Sequence, residues 1–450
     1  MEATKKLAEF VVDTGYQELP QELIEKTKEA FLDWVGVTLA GLTEESGDLI
    51  INYVKEQGGH PQATILGTDL KTSTTNAALV MGTLSHALDF DDVYWPMLGH
   101  PSVTLFPVVF ALGEHCQISG KKAIEAFVVG FEVEGLLGVA TAEEHYHKGW
   151  HATSTIGPLG AAAVAAKIMG LDYKKTRNAL GLAASHAGGL RENFGTMTKP
   201  FHAGNAARGG LAAALLAGSG FTASENILEA GLGFANVLCG KDKHKINEMT
   251  ARIGQGWGLL HPGRATKKYP SCGATHSAID CMLAICQEND LKAQDIENID
   301  CLVDPHVLNI LIHSRPQKGL EGKFSMQYCL AVASLDGIVG LKQFTDERAQ
   351  RPDVQEMVKK VNLVPSPTAG IRETTVKVMA KGRISEKTVS FAKGSPENPL
   401  TYKEMVEKFE MCAEDILITE QIQKVIEDVN NLENLTGINS LIEKCRPEKL

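Results

Sequence analysis

The spacing of apolar and polar residues predicts consecutive helices through roughly the first 240 residues. Residues 1–17 have an amphipathic helical pattern and no apolar run long enough for a secretory signal or a membrane span. Residues 20–41 begin with a proline in the first turn, keep apolar residues at helical spacing and end at Gly41. Small residues dominate 160–170 and 210–218, so we expect closely packed helices there.

The pattern changes after about residue 265, where strands enter. Residues 296–304 alternate and are rich in β-branched side chains, which is typical of a strand. Residues 374–381 and 387–393 flank a Gly-Arg pair and predict a hairpin. The segment 324–336 is predicted to be a helix, and the helical pattern returns at Thr401.

These elements predict a mainly α fold with a large all-helical domain and an inserted, smaller α+β lid domain. We assign residues 1–265 plus 397–450 to the helical domain and residues 266–396 to the lid. A chain of 450 residues is long for a single core, which favours two or three domains. A cleft between such domains is the usual place for a ligand.

Composition narrows the possible functions. The net charge of −11 makes nucleic acid a poor partner, so any anionic substrate must be held by local cations. The nine cysteines are dispersed without a Cys-x-x-Cys pair, which indicates reduced thiols. With no spanning segment apparent in the sequence, we expect a cytoplasmic protein without a membrane partner.

The first polar cluster lies at residues 86–102 and contains the segments HALDFDD and GHPS. If residues 73–91 form a helix, His86 and Asp89 lie on one face of it. His100 falls in the loop before the next helix, whose N-terminus favours an anion. The alternative is that the acidic residues are helix caps and His100 is an ordinary surface residue.

The second cluster holds three histidines, His145, His147 and His151. Such a group suggests a metal site, but no Asp or Glu at ligand spacing completes it, and the helical His pair of zinc proteases is missing. We therefore predict no metal and no cofactor. His151 attracts attention because it stands beside a long apolar, Gly-broken segment.

Two further clusters combine lysine with the start of a helix. Lys199 precedes a proline that can begin a helix, and His202 falls in the first turn. A lysine there opposes the helix dipole, which indicates an external anion. Residues 267–276 repeat this arrangement and end at His276. Taken alone, this last cluster is better explained by two solvated lysines on a loop.

Other nucleotide and hydrolase signatures are missing from the sequence. There is no Walker motif and no Gly-x-Ser-x-Gly elbow between a strand and a helix. The glycine pairs at 231–233 and 254–256 lack a preceding strand, so a dinucleotide site is unsupported.

The four clusters together resemble the MmgE/PrpD family. The resemblance rests on HALDFDD…GHPS at 86–102, GWHAT at 149–153, TKPFHAGNAARGG at 198–210 and KKYPSCGATH at 267–276. It runs through nearly the whole chain in order and spacing. The family includes 2-methylcitrate dehydratase, cis-aconitate decarboxylase and an iminodisuccinate epimerase. The resemblance implies a helical domain with an α+β lid, usually in a homodimer.

The resemblance also implies the site residues. The pocket residues that it implies are Asp89, His100, His151, Lys199, Lys268, His276 and Tyr328, the last within FSMQY. From the chemistry we expect catalytic roles for His100, Asp89, His151 and Tyr328, and substrate binding by Lys199, Lys268, His276 and His202. Two positions depart from the named members. Decarboxylase-type members carry threonine where this chain has Val93, and the dehydratase type favours asparagine where it has Asp91.

Each of these reactions places negative charge on a carbon beside a carboxylate, which preorganised cations must stabilise. We therefore predict a lyase acting on a small di- or tricarboxylic acid, by decarboxylation of cis-aconitate or a 2-methylcitrate-like dehydration. Lysines would hold the carboxylates while histidines move the proton. An epimerase of a dicarboxylate such as iminodisuccinate, or a carboxylate-binding protein without activity, remains as an alternative.

Overall fold

Long helices dominate the computed structural model, which describes residues 2–367, 370 and 372–448. The helices before the larger sheet are α1 (Ala3–Asp13), α2 (Gln21–Ala40), α3 (Glu45–Gln57), α4 (Thr74–Ala87), α5 (Ser102–Cys116), α6 (Gly120–His147), α7 (Ala152–Met169), α8 (Tyr173–Ala184), α9 (Thr198–Gly218), α10 (Phe234–Cys239), α11 (Ile246–Arg252) and α12 (His276–Glu288). The later helices are α13 (Gly319–Gly322), α14 (Met326–Asp336), α15 (Asp346–Gln350), α16 (Pro352–Val358), α17 (Tyr402–Ala413), α18 (Thr419–Asn430) and α19 (Asn439–Lys444).

The strands form two sheets. A short ribbon pairs β1 (Ala63–Thr64) with β2 (Lys71–Thr72). The larger sheet contains β3 (Ile296–Val303), β4 (Val361–Pro365), β5 (Thr374–Ala380) and β6 (Arg383–Val389) in the order β4-β3-β5-β6. Strands β3 and β4 are parallel, whereas the other neighbours are antiparallel. The predicted mainly α fold, the β3 strand and the presence of the β5–β6 hairpin are confirmed. The second hairpin strand spans Arg383–Val389, four residues earlier than the predicted 387–393, because the turn is tight and pairing begins directly after Gly382.

Helices α4 and α9 contact each other through glycines, and their backbones approach more closely than any larger residue at these positions would allow. A Cβ atom added to Gly204 would lie 2.1 Å from the Leu79 carbonyl oxygen, and one added to Gly82 would lie 2.6 Å from Gly204 Cα. Because this contact lies less than two turns from the end of α4 and from the start of α9, it brings His86 against Lys199. The glycines therefore position two polar clusters that are far apart in sequence.

The apolar residues form two main cores. One contains helices from the first 259 residues together with the C-terminal helices, since Phe409 and Val425 belong to it and α17 packs on α2. The other lies around the larger sheet, between Tyr269 and Ala380. The exact domain limits stay a prediction. Among the described residues, none of the helices has the length and apolarity needed to cross a membrane.

Candidate functional site

A cavity of about 270 Å³ lies between the helical core and the segments that follow residue 265. Its walls combine apolar rings with a small number of charged and histidine side chains. The charged side chains are Asp89, Arg191, Lys199 and Lys267, and the histidines are His100, His147, His151 and His306. All four polar clusters contribute residues to this cavity. The separate motifs in the sequence did not establish that the clusters meet.

Asp89 reaches the cavity through an unusual backbone turn. Helix α4 ends at Ala87, and Asp89 takes a φ of 52°, in the left-handed region that aspartate tolerates better than most residues. The expectation of a helix over residues 73–91 is therefore wrong at its C-terminal end. His86 and Asp89 meet through a shared lysine and not through a common helix face.

Two buried lysines converge on this carboxylate. Lys199 Nζ donates to Asp89 Oδ1 at 2.5 Å and to His86 Nε2 at 2.9 Å. Lys267 Nζ donates to the Asp89 carbonyl at 2.8 Å and lies 3.1 Å from Asp89 Oδ2. Burial alone would raise the pKa of Asp89, but the charges of both lysines hold it well below its usual range. Asp89 is therefore an anion held between two cations.

His86 completes the back wall of the site in its neutral form. Its Nε2 accepts from the Lys199 ammonium, so its Nδ1 carries the proton and donates to Asp91 Oδ1 at 2.9 Å. Burial, reinforced by the charge of Lys199, lowers the pKa of His86 to about 3. The ring thus fixes the lysine without adding charge.

His100 lies in the loop before α5, as predicted, and its ring is held in one orientation. Its Nδ1 is 2.8 Å from the Asp92 carbonyl and 2.9 Å from Asp91 Oδ2. Because a carbonyl only accepts, Nδ1 must carry the hydrogen. This leaves Nε2 as the ring nitrogen available to a ligand.

His151 and His202 form a neutral pair. Their Nδ1 atoms are 3.0 Å apart, so one ring donates and the other accepts. Burial and the charge of Lys199 hold the pKa of His151 well below its usual range and lower that of His202 to about 4. His151 lines the cavity, whereas His202 lies behind it and orients it.

Besides His202, three residues expected in the site lie outside the cavity. Tyr328 is buried in the lid core, where its hydroxyl donates to the Gln343 carbonyl. His276 donates from Nε2 to the Ser271 carbonyl at 3.2 Å and borders a smaller neighbouring cavity. Lys268 is exposed, with its ammonium 5.5 Å from the centre of its neighbour's phenol ring.

Lys267 occupies the place that the sequence prediction gave to Lys268. The segment is extended, since Ala265 pairs with Val93 in an antiparallel bridge, and successive side chains of an extended chain point to opposite sides. Lys267 is therefore buried beside Asp89 while its neighbour faces outward. The lysine that lines the cavity is therefore Lys267, one residue before the predicted Lys268.

The sequence analysis also missed Arg191 and Tyr146, which both line the cavity. The Arg191 guanidinium lies 3.9 Å from the centre of the Tyr146 ring and donates to the Tyr146 carbonyl at 3.0 Å. Burial raises the pKa of the Tyr146 phenol to about 12. The sequence feature that could have pointed to Arg191 is its position as a lone arginine a few residues before the TKPFHAG motif.

Three lysine contacts, one of them the Lys267 contact described above, fix the shape of the loop at residues 88–90. These consecutive carbonyls accept from Lys323 at 2.7 Å, Lys267 at 2.8 Å and Lys408 at 2.7 Å, respectively. The carbonyls follow the C-terminus of α4, where cations are favourable. Burial lowers the pKa of Lys323 to about 8. The loop that carries Asp89 is thus clamped by three distant segments.

One group of side chains has the geometry of a metal site. His86, Asp89 and His100 place one ligand atom each within 4.8 Å of one another. However, the Lys199 ammonium already contacts both His86 and Asp89, so a lysine cation fills the position that a metal would take between them. The three histidines of the second cluster do not converge, since His145 is bound to residues of α6 and α7.

The chain matches known proteins over nearly its full length. The model of the MmgE/PrpD N-terminal domain matches residues 5–247, and that of the C-terminal domain matches residues 269–433. The cis-aconitate decarboxylase of Mus musculus is 31% identical over 97% of this chain and 92% of its own. The cis-aconitate decarboxylase of Aspergillus terreus is 25% identical over 98% of this chain and 95% of its own. The mitochondrial 2-methylcitrate dehydratase of Yarrowia lipolytica is 24% identical over 76% of this chain and 68% of its own.

Proposed function

The chain belongs to the MmgE/PrpD family, as its motifs indicated, and on that premise we propose that it decarboxylates a small unsaturated tricarboxylic acid such as cis-aconitate. The observation that carries the proposal is the convergence of Lys199 and Lys267 on Asp89 beside His100 and His151. The long match to cis-aconitate decarboxylases favours decarboxylation over dehydration.

Decarboxylation breaks the carbon–carbon bond to the departing carboxylate and leaves the electron pair on the substrate. The pair spreads through the double bond into a neighbouring carboxylate, which then carries extra negative charge. Lys199 and Lys267 are preorganised to stabilise that charge, and each such donor is worth about 3–4 kcal/mol in the transition state. Because both ammonium groups are already fixed by Asp89, they need no reorganisation during the reaction.

A proton must then return to carbon, and His100 is the group we assign to deliver it. Asp91 lies 2.9 Å from its Nδ1 and balances the positive charge when both ring nitrogens are protonated. The proton on Nε2 passes to the substrate and leaves the neutral ring held by the Asp92 carbonyl. His151, kept neutral by burial, is the second proton-transfer group.

A second candidate is epimerisation of a dicarboxylate. It is favoured by the presence of both His100 and His151 on the cavity wall, since one can remove a proton and the other return it. Val93, which lines the cavity without a hydroxyl, is compatible with a substrate that has no hydroxyl to be recognised. The homodimer remains a prediction.

NMR in heavy water separates these functions. We expect cis-aconitate to release carbon dioxide and give a product with one deuterium on carbon. Loss of a hydroxyl from 2-methylcitrate would indicate a dehydratase. Inversion of iminodisuccinate with uptake of deuterium would indicate an epimerase. His100→Gln should lower turnover by about 10²–10⁴-fold, whereas His115→Gln, at the exposed end of α5, is the matched control. No reaction with any of these acids would refute catalysis.

A further inference from the structure

Arg191 carries a positive charge that the proposed reaction leaves unused. It begins a short 3₁₀ turn between α8 and α9 and lines the cavity. Its Nε is buried and has no hydrogen-bond partner among the described residues, and none of their carboxylates lies within ion-pair distance. A buried guanidinium nitrogen without a partner is costly unless a ligand supplies one.

The charges that line the cavity are unbalanced. Asp89 is the only carboxylate among the charged lining side chains that the structure describes, against Arg191, Lys199 and Lys267. Three cations and one anion leave a formal surplus of two positive charges in a protein whose net charge is −11. Such a surplus fits a ligand with at least two carboxylates.

The lining cations contact different partners, since Arg191 stacks on Tyr146 whereas both lysines contact Asp89. The Arg191 guanidinium carbon is 5.9 Å from the centre of the Phe194 ring, and Lys199 Nζ is 5.5 Å from the same centre. Lys267 joins Lys199 at Asp89, so two cationic positions exist around one aromatic ring. A short polycarboxylate can contact both positions at once.

We propose that Arg191 binds the substrate carboxylate farther from the reacting carbon, and thereby selects acids with carboxylates at both positions. Tyr146 orients it, since the guanidinium stacks on the ring and donates to the Tyr146 carbonyl. The planar fork of arginine suits a carboxylate, which can accept two parallel hydrogen bonds. This inference rests on the proposed function in one respect only, namely the identification of the carboxylate that reacts.

A purely structural role for Arg191 is the rival explanation. Its Nη2 reaches the Asn309 carbonyl in the lid, but at 3.5 Å this is a weak contact. If Arg191 served only to hold the lid, its loss would weaken every ligand in the same proportion. A role in recognition instead predicts a loss confined to ligands that carry the second carboxylate.

Binding of unreactive acids tests this difference without depending on turnover. The ligands are propane-1,2,3-tricarboxylate and methylsuccinate, which lacks one terminal carboxylate, measured by titration calorimetry. We expect the wild type to prefer the tricarboxylate by about 10- to 100-fold, the range for hydrogen bonds to a charged group. Arg191→Met should abolish that preference and leave methylsuccinate binding unchanged, while Arg191→Lys keeps part of it.

Arg252→Met, at an exposed arginine paired with Glu248, is the matched control and should keep the full preference. Equal weakening of both ligands in Arg191→Met would show a structural role and overturn the proposal. Retention of the preference in that variant, or a wild type that binds neither acid, would also overturn it. If binding follows the expectation while cis-aconitate is not decarboxylated, only the proposed reaction fails.

Discussion

Replacing each of two adjacent lysines by methionine gives the sharpest test of the site. Lys267 is buried, and its ammonium contacts both the carbonyl and the carboxylate of Asp89. Lys268 has the same chemistry and is exposed. Lys267→Met and Lys268→Met therefore make one chemical change at neighbouring positions that differ only in the direction of the side chain.

The expected effects can be estimated from these contacts. Loss of a preorganised cation costs about 3–4 kcal/mol in the transition state, so kcat/KM of Lys267→Met should fall by about 10²–10³-fold. Breaking a buried ion pair costs about 3–5 kcal/mol of stability. Because Lys199 still pairs with Asp89, we expect the lower end of that range.

Steady-state kinetics on cis-aconitate and denaturant unfolding measure the two effects. Lys268→Met should keep kcat/KM within about 2-fold, since surface charges contribute little. Equal losses in the two variants, or an active Lys267→Met, would refute the assignment of Lys267 to the site. A Lys267→Met protein that is folded but inactive would confirm that the cation acts on the reaction.

The remaining predictions concern acid stability, metal and packing. Burial and the charge of Lys267 lower the pKa of His276 to about 3, so between about pH 6.5 and 3 the unfolded chain binds a proton that the folded protein excludes. As the pH is lowered through this range, His276 therefore reduces the free energy of unfolding by up to about 1.4 kcal/mol per pH unit. His276→Gln should reduce this slope in denaturation curves at pH 7, 6 and 5, and an unchanged slope would contradict the prediction. Prolonged chelation should leave turnover unchanged, because Lys199 fills the position between His86 and Asp89, whereas loss restored by zinc would show a metal enzyme. Gly204→Ala should destabilise by about 1–3 kcal/mol or more, since its Cβ would collide with a carbonyl of α4; Gly231→Ala, with open space around it, is the control, and equal melting temperatures would contradict the argument.

Long periodic segments made the fold class predictable from sequence. Helix α2 begins and ends within a residue of the predicted segment, and β3 matches the alternating stretch at 296–304. The position of His100, His151 and Lys199 on the cavity was predictable for a related reason, since each belongs to a polar cluster that interrupts an otherwise apolar segment. Such residues are costly to bury without a partner, so their presence indicates a site.

Other parts of the site depend on tertiary structure and could not be predicted. The choice between Lys267 and Lys268 is set by the pairing of Ala265 with Val93, which no local pattern encodes. Asp89 continues a helical pattern in sequence, yet its left-handed backbone is stabilised by contacts from elsewhere in the chain. Tyr328 was implied by resemblance alone, and its hydroxyl is satisfied inside the lid.

The clamped loop at residues 88–90 has a consequence for protein engineering. Its three carbonyls are held by Lys267, Lys323 and Lys408, which lie 178 to 318 positions further along the chain. A graft of the HALDFDD segment onto another helical scaffold would transfer the carboxylates without these donors. A lid exchanged between relatives would likewise function only if its lysines matched the recipient's loop. The transferable unit is therefore the loop together with its three ammonium groups, and design on this scaffold has to move them as one.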